Sequence, residues 1–192
     1  MIDKLKEKIL FIRLQRKNKD AFAEFYNRYI DKVYQYIFFK VNSKEDAEDL
    51  TSAFFLKFWE FINEGKITNH KTVKPFIYTV ARNIVIDHYR KTNQHKTISI
   101  DATFDEEEEK TKDYIDPKQN VKEQVANNFE IEIIKSKLFE LKDEYREVIV
   151  LRYIEELSVK EIAEVLNKTK GNVNVLSHRA LKALREIVEK NA

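Results

Sequence analysis

A chain of 192 residues sits between the usual sizes of one domain and two, so two small cores are expected. The absence of cysteine excludes a disulfide framework, thiol chemistry and cysteine-ligated zinc, and no apolar run reaches the length of a membrane span. With two glycines and two prolines among 35% charged residues, turn signals are few, and the apolar residues recur at helical spacing; an all-α chain is expected.

The N-terminus carries the short apolar cluster Ile9-Leu10-Phe11-Ile12, broken by Arg13 and lacking a small-residue cleavage site. A cytoplasmic protein without a secretory signal is the expectation. The cluster reads as an amphipathic lead (Leu5, Ile9, Ile12). After a cap region at Asn18 and Asp20, Phe22, Phe25, Tyr26, Tyr29, Val33, Tyr36 and Ile37 form one broad helical stripe. Ser43 to Asp46 reads as a capping box opening a helix through Leu50, Phe54, Phe58 and Phe61, with a stop near Gly65. A third helix of this block is predicted from near Pro75 to about Thr92. Aromatic residues at helical spacing are usually core. In this third helix, however, Phe76, Tyr78 and Tyr89 interleave with Lys74, Arg82, Arg90 and Lys91, the combination that holds unstacked bases and their phosphates.

The net charge of +2 is split along the chain. From Lys66 to Ile100 the basic residues Lys66, Lys71, Lys74, Arg82, Arg90, Lys91 and Lys96 face the single acid Asp87. From Asp101 to Asp116 the acids Asp101, Asp105, Glu106, Glu107, Glu108, Glu109, Asp113 and Asp116 stand against Lys110 and Lys112 alone. That stretch lacks an apolar period, contains like charges and precedes Pro117; it reads as an extended acidic linker. The expected organisation is two small helical domains, 1–95 and 125–192, joined by an acidic flexible linker at 96–124.

The second block ends in the most specific pattern. Ser158-Val-Lys-Glu161 has the form in which a hydroxyl caps a helix and a glutamate bonds back to the cap residue. Ile162, Ala163 and Leu166 follow at helical spacing, Asn167 and Lys168 interrupt, and Thr169 caps a second helix with the inward row Val173, Leu176, Ala180 and Leu184. This is a helix-turn-helix, whose second helix fits a DNA major groove. At 100° per residue its outward row holds Gly171, Val175, His178 and Lys182, flanked by Asn174, Arg179 and Arg185, with Lys170 and Asn172 as further DNA contacts at its start. Donors, an amide and a small apolar side chain are what phosphates and base edges require.

Taken together these segments resemble the extracytoplasmic-function type of sigma factor, the alternative specificity subunits of bacterial RNA polymerase. The resemblance rests on Ala21-Phe22-x-x-Phe25-Tyr26-x-x-Tyr29, Asp46-Ala47-Glu48-Asp49-Leu50 with Phe55-Leu56-Lys57-x-Trp59, and Phe76-Ile77-Tyr78-x-x-Ala81-Arg82-Asn83-x-x-x-Asp87-x-x-Arg90. In the second block it rests on Tyr145-Arg146-Glu147-Val148, Leu151-Arg152-Tyr153, Leu157-Ser158-x-x-Glu161-Ile162-Ala163, Gly171-x-Val173 and His178-Arg179-Ala180. It implies that Asp46, Glu48, Asp49, Leu50 and Phe55 dock on the clamp of the largest polymerase subunit, and that the second block meets the flap of the second largest. It implies that Lys66, Lys71, Lys74, Phe76, Tyr78, Arg82, Asn83 and Arg90 hold the opened downstream promoter element. The helix-turn-helix would read the upstream element, and an anti-sigma factor is a further implied partner. Thr51-Ser52-Ala53 stands where the family usually has a longer polar or acidic set, Phe76 where tryptophan is common, and Asn174 and Leu176 where basic residues are frequent.

A helix-turn-helix regulator that acts without being a polymerase subunit is the alternative; it accounts for the C-terminus but not for a cationic aromatic helix beside an acidic one. His70, His88, His95 and His178 lack ligand spacing, and no nucleophile, base and orienting group can be assembled. No enzyme, cofactor, metal, small-molecule substrate or membrane insertion is expected.

Overall fold

The computed structural model describes residues 2–66, 73–98 and 121–190, and side chains over 6–66, 73–92 and 130–190. These residues form helices joined by turns, with no strand among them. The N-terminal half contains α1 (Ile2–Gln15), α2 (Lys19–Phe38), α3 (Lys44–Asn63) and α4 (Val73–Ile98). The C-terminal half contains α5 (Val121–Phe139), α6 (Asp143–Ile149), a π-helical continuation over Val150–Ile154, α7 (Val159–Leu166) and α8 (Lys170–Lys190). The acidic stretch Asp101 to Asp116 lies outside the described residues. Backbone helix passes both expected linker boundaries, since α4 continues to Ile98 and α5 begins at Val121.

Local chemistry sets the helix ends. Lys17 turns the chain in the left-handed region (φ 57°), and the Asn18 side chain then accepts from the Ala21 amide at 2.8 Å, satisfying one of the orphan donors that open α2. Ser43 does the same for Asp46 at 3.0 Å. There the reciprocal half of the expected capping box is missing, because Asp46 instead faces His88 across 3.6 Å. Gly65, at φ 69°, follows α3 in a conformation that costs glycine nothing. The whole box forms at α7: the Glu161 amide donates to Ser158 Oγ, and the Ser158 amide donates to Glu161 Oε2 at 2.8 Å.

The first core is aromatic. Phe25 of α2 stacks on Phe58 of α3 with centroids 4.3 Å apart and planes 6° from parallel, and Phe54, Val33, Ile37 and Ile77 close around them. The N-terminal lead buries Leu10, Phe11 and Leu14, which leaves Ile9 and Ile12 exposed. The expected lead was therefore set on the wrong side, because an uninterrupted Ile-Leu-Phe-Ile cluster does not say which of its residues turns inward. The second core gathers Leu138, Val148, Val150, Leu151, Ile162, Val165, Val173 and Ala180, with α8 packed on α6. The two halves also meet directly, α4 against α7 and α2 against the π-helical segment.

Ser158→Ala should lower the urea stability of the second half by about 1 kcal/mol, followed by far-ultraviolet circular dichroism, because it removes an N-cap acceptor. Ser158→Thr should retain most of that stability. Equal loss in both variants would mean that the box contributes nothing to α7.

A candidate nucleic-acid and polymerase interface

The helix-turn-helix is assembled by three local devices. The Ser158 box starts α7, Asn167 turns the chain in the left-handed region (φ 50°), and Thr169 Oγ1 accepts from the Asn172 amide at 3.2 Å to start α8. Val173, Ser177 and Ala180 are buried, while Leu176 and Leu184 are partly so. Ser177 belongs to the inward row although its polarity hid it from a pattern search. Its hydroxyl donates to the Val173 carbonyl at 2.8 Å and lies 3.3 Å from Arg152 Nη1, which donates to it. With that row fixed, Lys170, Asn172, Asn174, Val175, His178, Arg179 and Lys182 are all exposed on α8.

The candidate residues of the first half divide into three groups. Lys66, Asn83 and Arg90 are exposed; Lys66 pairs with Glu64 at 2.6 Å and lies over the Phe61 ring, and Arg90 pairs with Asp87 at 3.4 Å. Lys74, Phe76 and Arg82 are half-buried, Phe76 against Phe58 and Phe61. Lys71 lies outside the described residues. Tyr78 is the exception: it is 1% exposed, and its hydroxyl donates to Glu155 Oε2 of the other half at 2.6 Å. In this arrangement Tyr78 is an interdomain residue, not an open stacking platform. Its 3.6-residue register relative to Phe76 could not reveal that, because the partner is 77 residues away.

On α3, Glu48 and Asp49 are exposed and Leu50 is half-buried. Phe55, expected at the docking surface, is 4% exposed and packs in the first core beside Phe54, Phe25 and Tyr26. The apolar groups that do reach solvent are its neighbours. Leu56 is 70% exposed and Tyr26 41%, and they line an open groove with Lys19, Phe22, Ser52 and Trp59, to which buried Phe55 also contributes. Sequence reasoning missed Leu56, whose signal was available: at 100° per residue it falls on the side of its helix opposite the Phe54, Phe58 row. An apolar groove with Glu48 and Asp49 on one of its helices suits a partner surface that carries both aliphatic and basic side chains.

The junction between the halves is polar. Glu147 Oε1 accepts from the Tyr36 hydroxyl at 2.6 Å, Glu147 Oε2 meets Lys40 Nζ at 2.7 Å, and Arg82 Nε stands 3.9 Å away. Burial beside this carboxylate pushes the Tyr36 phenol well above its usual range. Lys135 Nζ donates to the Asn42 carbonyl at 3.1 Å and lies 3.9 Å from the Phe38 ring centre. Burial lowers the Lys135 ammonium below its ordinary value. Among the described residues no group of His, Asp and Glu is placed to hold a metal ion, and no helix is long and apolar enough to cross a membrane.

Residues 25–95 match the family described as Sigma-70 region 2, and residues 131–184 match Sigma-70, region 4. The chain is 30% identical to the ECF RNA polymerase sigma factor SigW of Bacillus subtilis, over 91% of this chain and 92% of that protein. It is 31% identical to the SigM protein of the same organism, over 85% and 93% respectively. The ECF sigma factor BldN of Streptomyces coelicolor is 30% identical over 94% of this chain, which spans 65% of that longer protein. In fold, CnrH solved with the cytosolic domain of CnrY matches with a TM-score of 0.70 at 19% identity, over 97% of this chain and 99% of that one.

The division between groove and core can be measured. Phe55→Ala should cost about 3–5 kcal/mol in urea unfolding, as large core truncations do. Leu56→Ala should stay within about 0.5 kcal/mol, as exposed substitutions do. Similar losses in both would place Leu56 in the core.

Proposed function

This chain belongs to the extracytoplasmic-function type of RNA polymerase sigma factors, an alternative sigma factor that directs transcription, and from that premise we propose how its surfaces divide the work. The observation that carries the reading is the α8 face: seven candidate contact residues, Lys170, Asn172, Asn174, Val175, His178, Arg179 and Lys182, are exposed while Val173, Ser177 and Ala180 anchor the opposite side. A helix so mounted enters the major groove of the upstream promoter element without disturbing its own core. Asn174 and His178 offer base-edge donors and acceptors, Val175 an apolar contact, and Lys170, Arg179 and Lys182 phosphate charge.

Core polymerase docks on α2 and α3. Glu48 and Asp49 steer the encounter, and Tyr26, Leu56 and Trp59, together with half-buried Leu50, supply apolar burial that slows release. Phe55 supports this surface from beneath. The exposed part of α4, Asn83 and Arg90, with Lys66, Lys74, Phe76 and Arg82, serves the downstream element once the duplex opens. The domains follow the halves, with residues 1–95 carrying polymerase docking and the downstream element, 96–124 linking, and 125–192 carrying the upstream element. The protein works in the cytoplasm with polymerase, catalyses no reaction of its own, and takes an anti-sigma factor as a regulatory partner. Support for that partner comes from CnrH, which was solved with the cytosolic domain of CnrY, and from RpoE of Bartonella quintana, solved with the anti-sigma factor NepR.

Two experiments test these assignments. Leu56→Glu combined with Asp49→Lys should abolish pull-down of core polymerase while circular dichroism stays helical; retained binding would remove the groove from the docking surface. In transcription from a randomised upstream-element library, Asn174→Ala and His178→Ala should change the preferred sequence by about 1–3 kcal/mol of discrimination per lost base contact. Lys182→Ala should weaken all sequences alike and lower the salt slope by about one. Unchanged preference in the Asn174 and His178 variants would turn that face away from the groove.

A further inference from the structure

Outside the proposed contacts lie a crevice between the halves, an apolar strip on the end of α8, and carboxylates buried at the junction. Acids and bases in the crevice pair with each other, Arg146 with Asp143, Lys168 with Glu144 and Lys40 with Glu147, although Nε of Arg82 and of Arg146 is buried without a hydrogen-bond partner. The strip consists of exposed Leu181 and Val188. The junction carries an argument.

Glu147 and Glu155 both belong to the second half, and both reach groups of the first half that lie on α2, in the turn after it and on α4. Glu147 takes Tyr36, Lys40 and the edge of Arg82; Glu155 takes Tyr78. Tyr78 and Arg82 are residues of the helix assigned above to opened promoter DNA. A carboxylate on a phenol and a guanidinium presents the same chemistry as a phosphate oxygen. Glu147 thus stands beside Arg82 where a phosphate would, and Glu155 holds the same helix through Tyr78. We infer that Glu147 and Glu155 form an intramolecular latch that closes the helix-turn-helix half over α4 and must open before α4 engages DNA, with Glu155 as its proton-sensitive member. The inference rests on the assignment of α4 to DNA.

The two members differ in kind. Glu147 is compensated, since it has a hydroxyl and an ammonium within hydrogen-bonding distance. Glu155 has one hydroxyl only; its Oε1 is buried with no hydrogen-bond partner, and the side chain is 6% exposed as a residue. An uncompensated buried carboxylate is costly when charged and cheap when protonated. The surrounding charges, Lys32 of α2 and Lys74 of α4, act from a distance, and Glu161 of α7 and Tyr29 of α2 add to the field around Tyr78. Burial pushes the Glu155 carboxyl up to about 7, against the opposing pull of Tyr78, Lys32 and Lys74.

The sign follows from proton uptake. In the open form Glu155 is solvated and titrates in the ordinary carboxyl range; in the closed form it holds its proton to higher pH. Closure therefore has its full strength below the ordinary range and weakens as pH rises, by up to about tenfold per pH unit until about pH 7, then levels off.

Because the chain has no cysteine, Asn63→Cys and Glu164→Cys, both exposed, allow a donor and an acceptor to be attached to the two halves of the full-length protein. Energy transfer should fall as pH rises from about 5 to about 7. Glu155→Gln should hold high transfer across that range, and Glu147→Gln should lower it at every pH. A wild-type signal that does not change with pH, or a Glu155→Gln protein that titrates like wild type, overturns the latch. Should Glu155→Gln fail to fold by circular dichroism, the wild-type titration and Glu147→Gln decide alone. Binding of a pre-opened promoter strand, measured beside transfer, separates the two readings: a pH-dependent opening with no strand binding in any state keeps the latch and removes α4 from DNA, whereas strand binding without pH-dependent opening removes the latch.

Discussion

Two carboxylates buried between two helical halves constrain the rest of this molecule. Taking a charge out of water is costly, and the cost is recovered only where donors are placed to meet it. Glu147 has such donors in Tyr36 and Lys40, so α2 is held at one height against α6. A pair of this kind adds little net stability compared with an apolar contact of the same shape, but it penalises every misaligned docking. Apolar side chains from either half would slide, whereas Tyr36 and Tyr78 each reach one acid. The junction therefore sets position, while the two cores beneath it supply the cohesion.

The cores explain why that junction is so polar. Each half closes on its own: the Phe25–Phe58 stack with its neighbours in one, and the Val148, Leu151, Ile162, Val173 cluster in the other. The buried aromatics that meet the other half, Tyr36 and Tyr78, end there in hydroxyls. What remains for the contact between them is the polar edge of α2 and α4, the part of the first half that also carries its cationic groups. A contact built on such groups is separable in a way that a shared apolar core is not.

The sequence was most legible where the determining chemistry is local. The Ser158–Glu161 box, the left-handed Asn167 and the Thr169 cap each act over three or four residues, and they were readable as the helix-turn-helix that α7 and α8 form. Helical periodicity likewise separated Val173 and Ala180 from Asn174 and His178. It failed where a polar residue took a core position, as Ser177 does by bonding back to its own helix. It did not reach Tyr78 either, since an aromatic at helical spacing does not disclose whether it meets solvent, its own core or a second half of the chain. Resemblance named the docking helix but selected Phe55, whereas its exposed apolar neighbours are Leu56 and Tyr26. The junction could not be read at all, because Tyr36 and Glu147 lie 111 residues apart and neither has a motif of its own.

The groove on α2 and α3 contains the chain's single tryptophan, Trp59, with its ring 4.7 Å from that of Phe22. Indole emission responds to the polarity of its immediate surroundings, and here there is one indole in one place. The protein's intrinsic fluorescence is consequently a report from that groove alone, silent about the reading helix and about the buried acids. Eight of the nine tyrosines are spread through both halves, so the two chromophores divide the molecule between them. Excited at the red edge, the native chain is already a labelled sensor of whatever covers Leu56 and Tyr26, with no dye and no substitution.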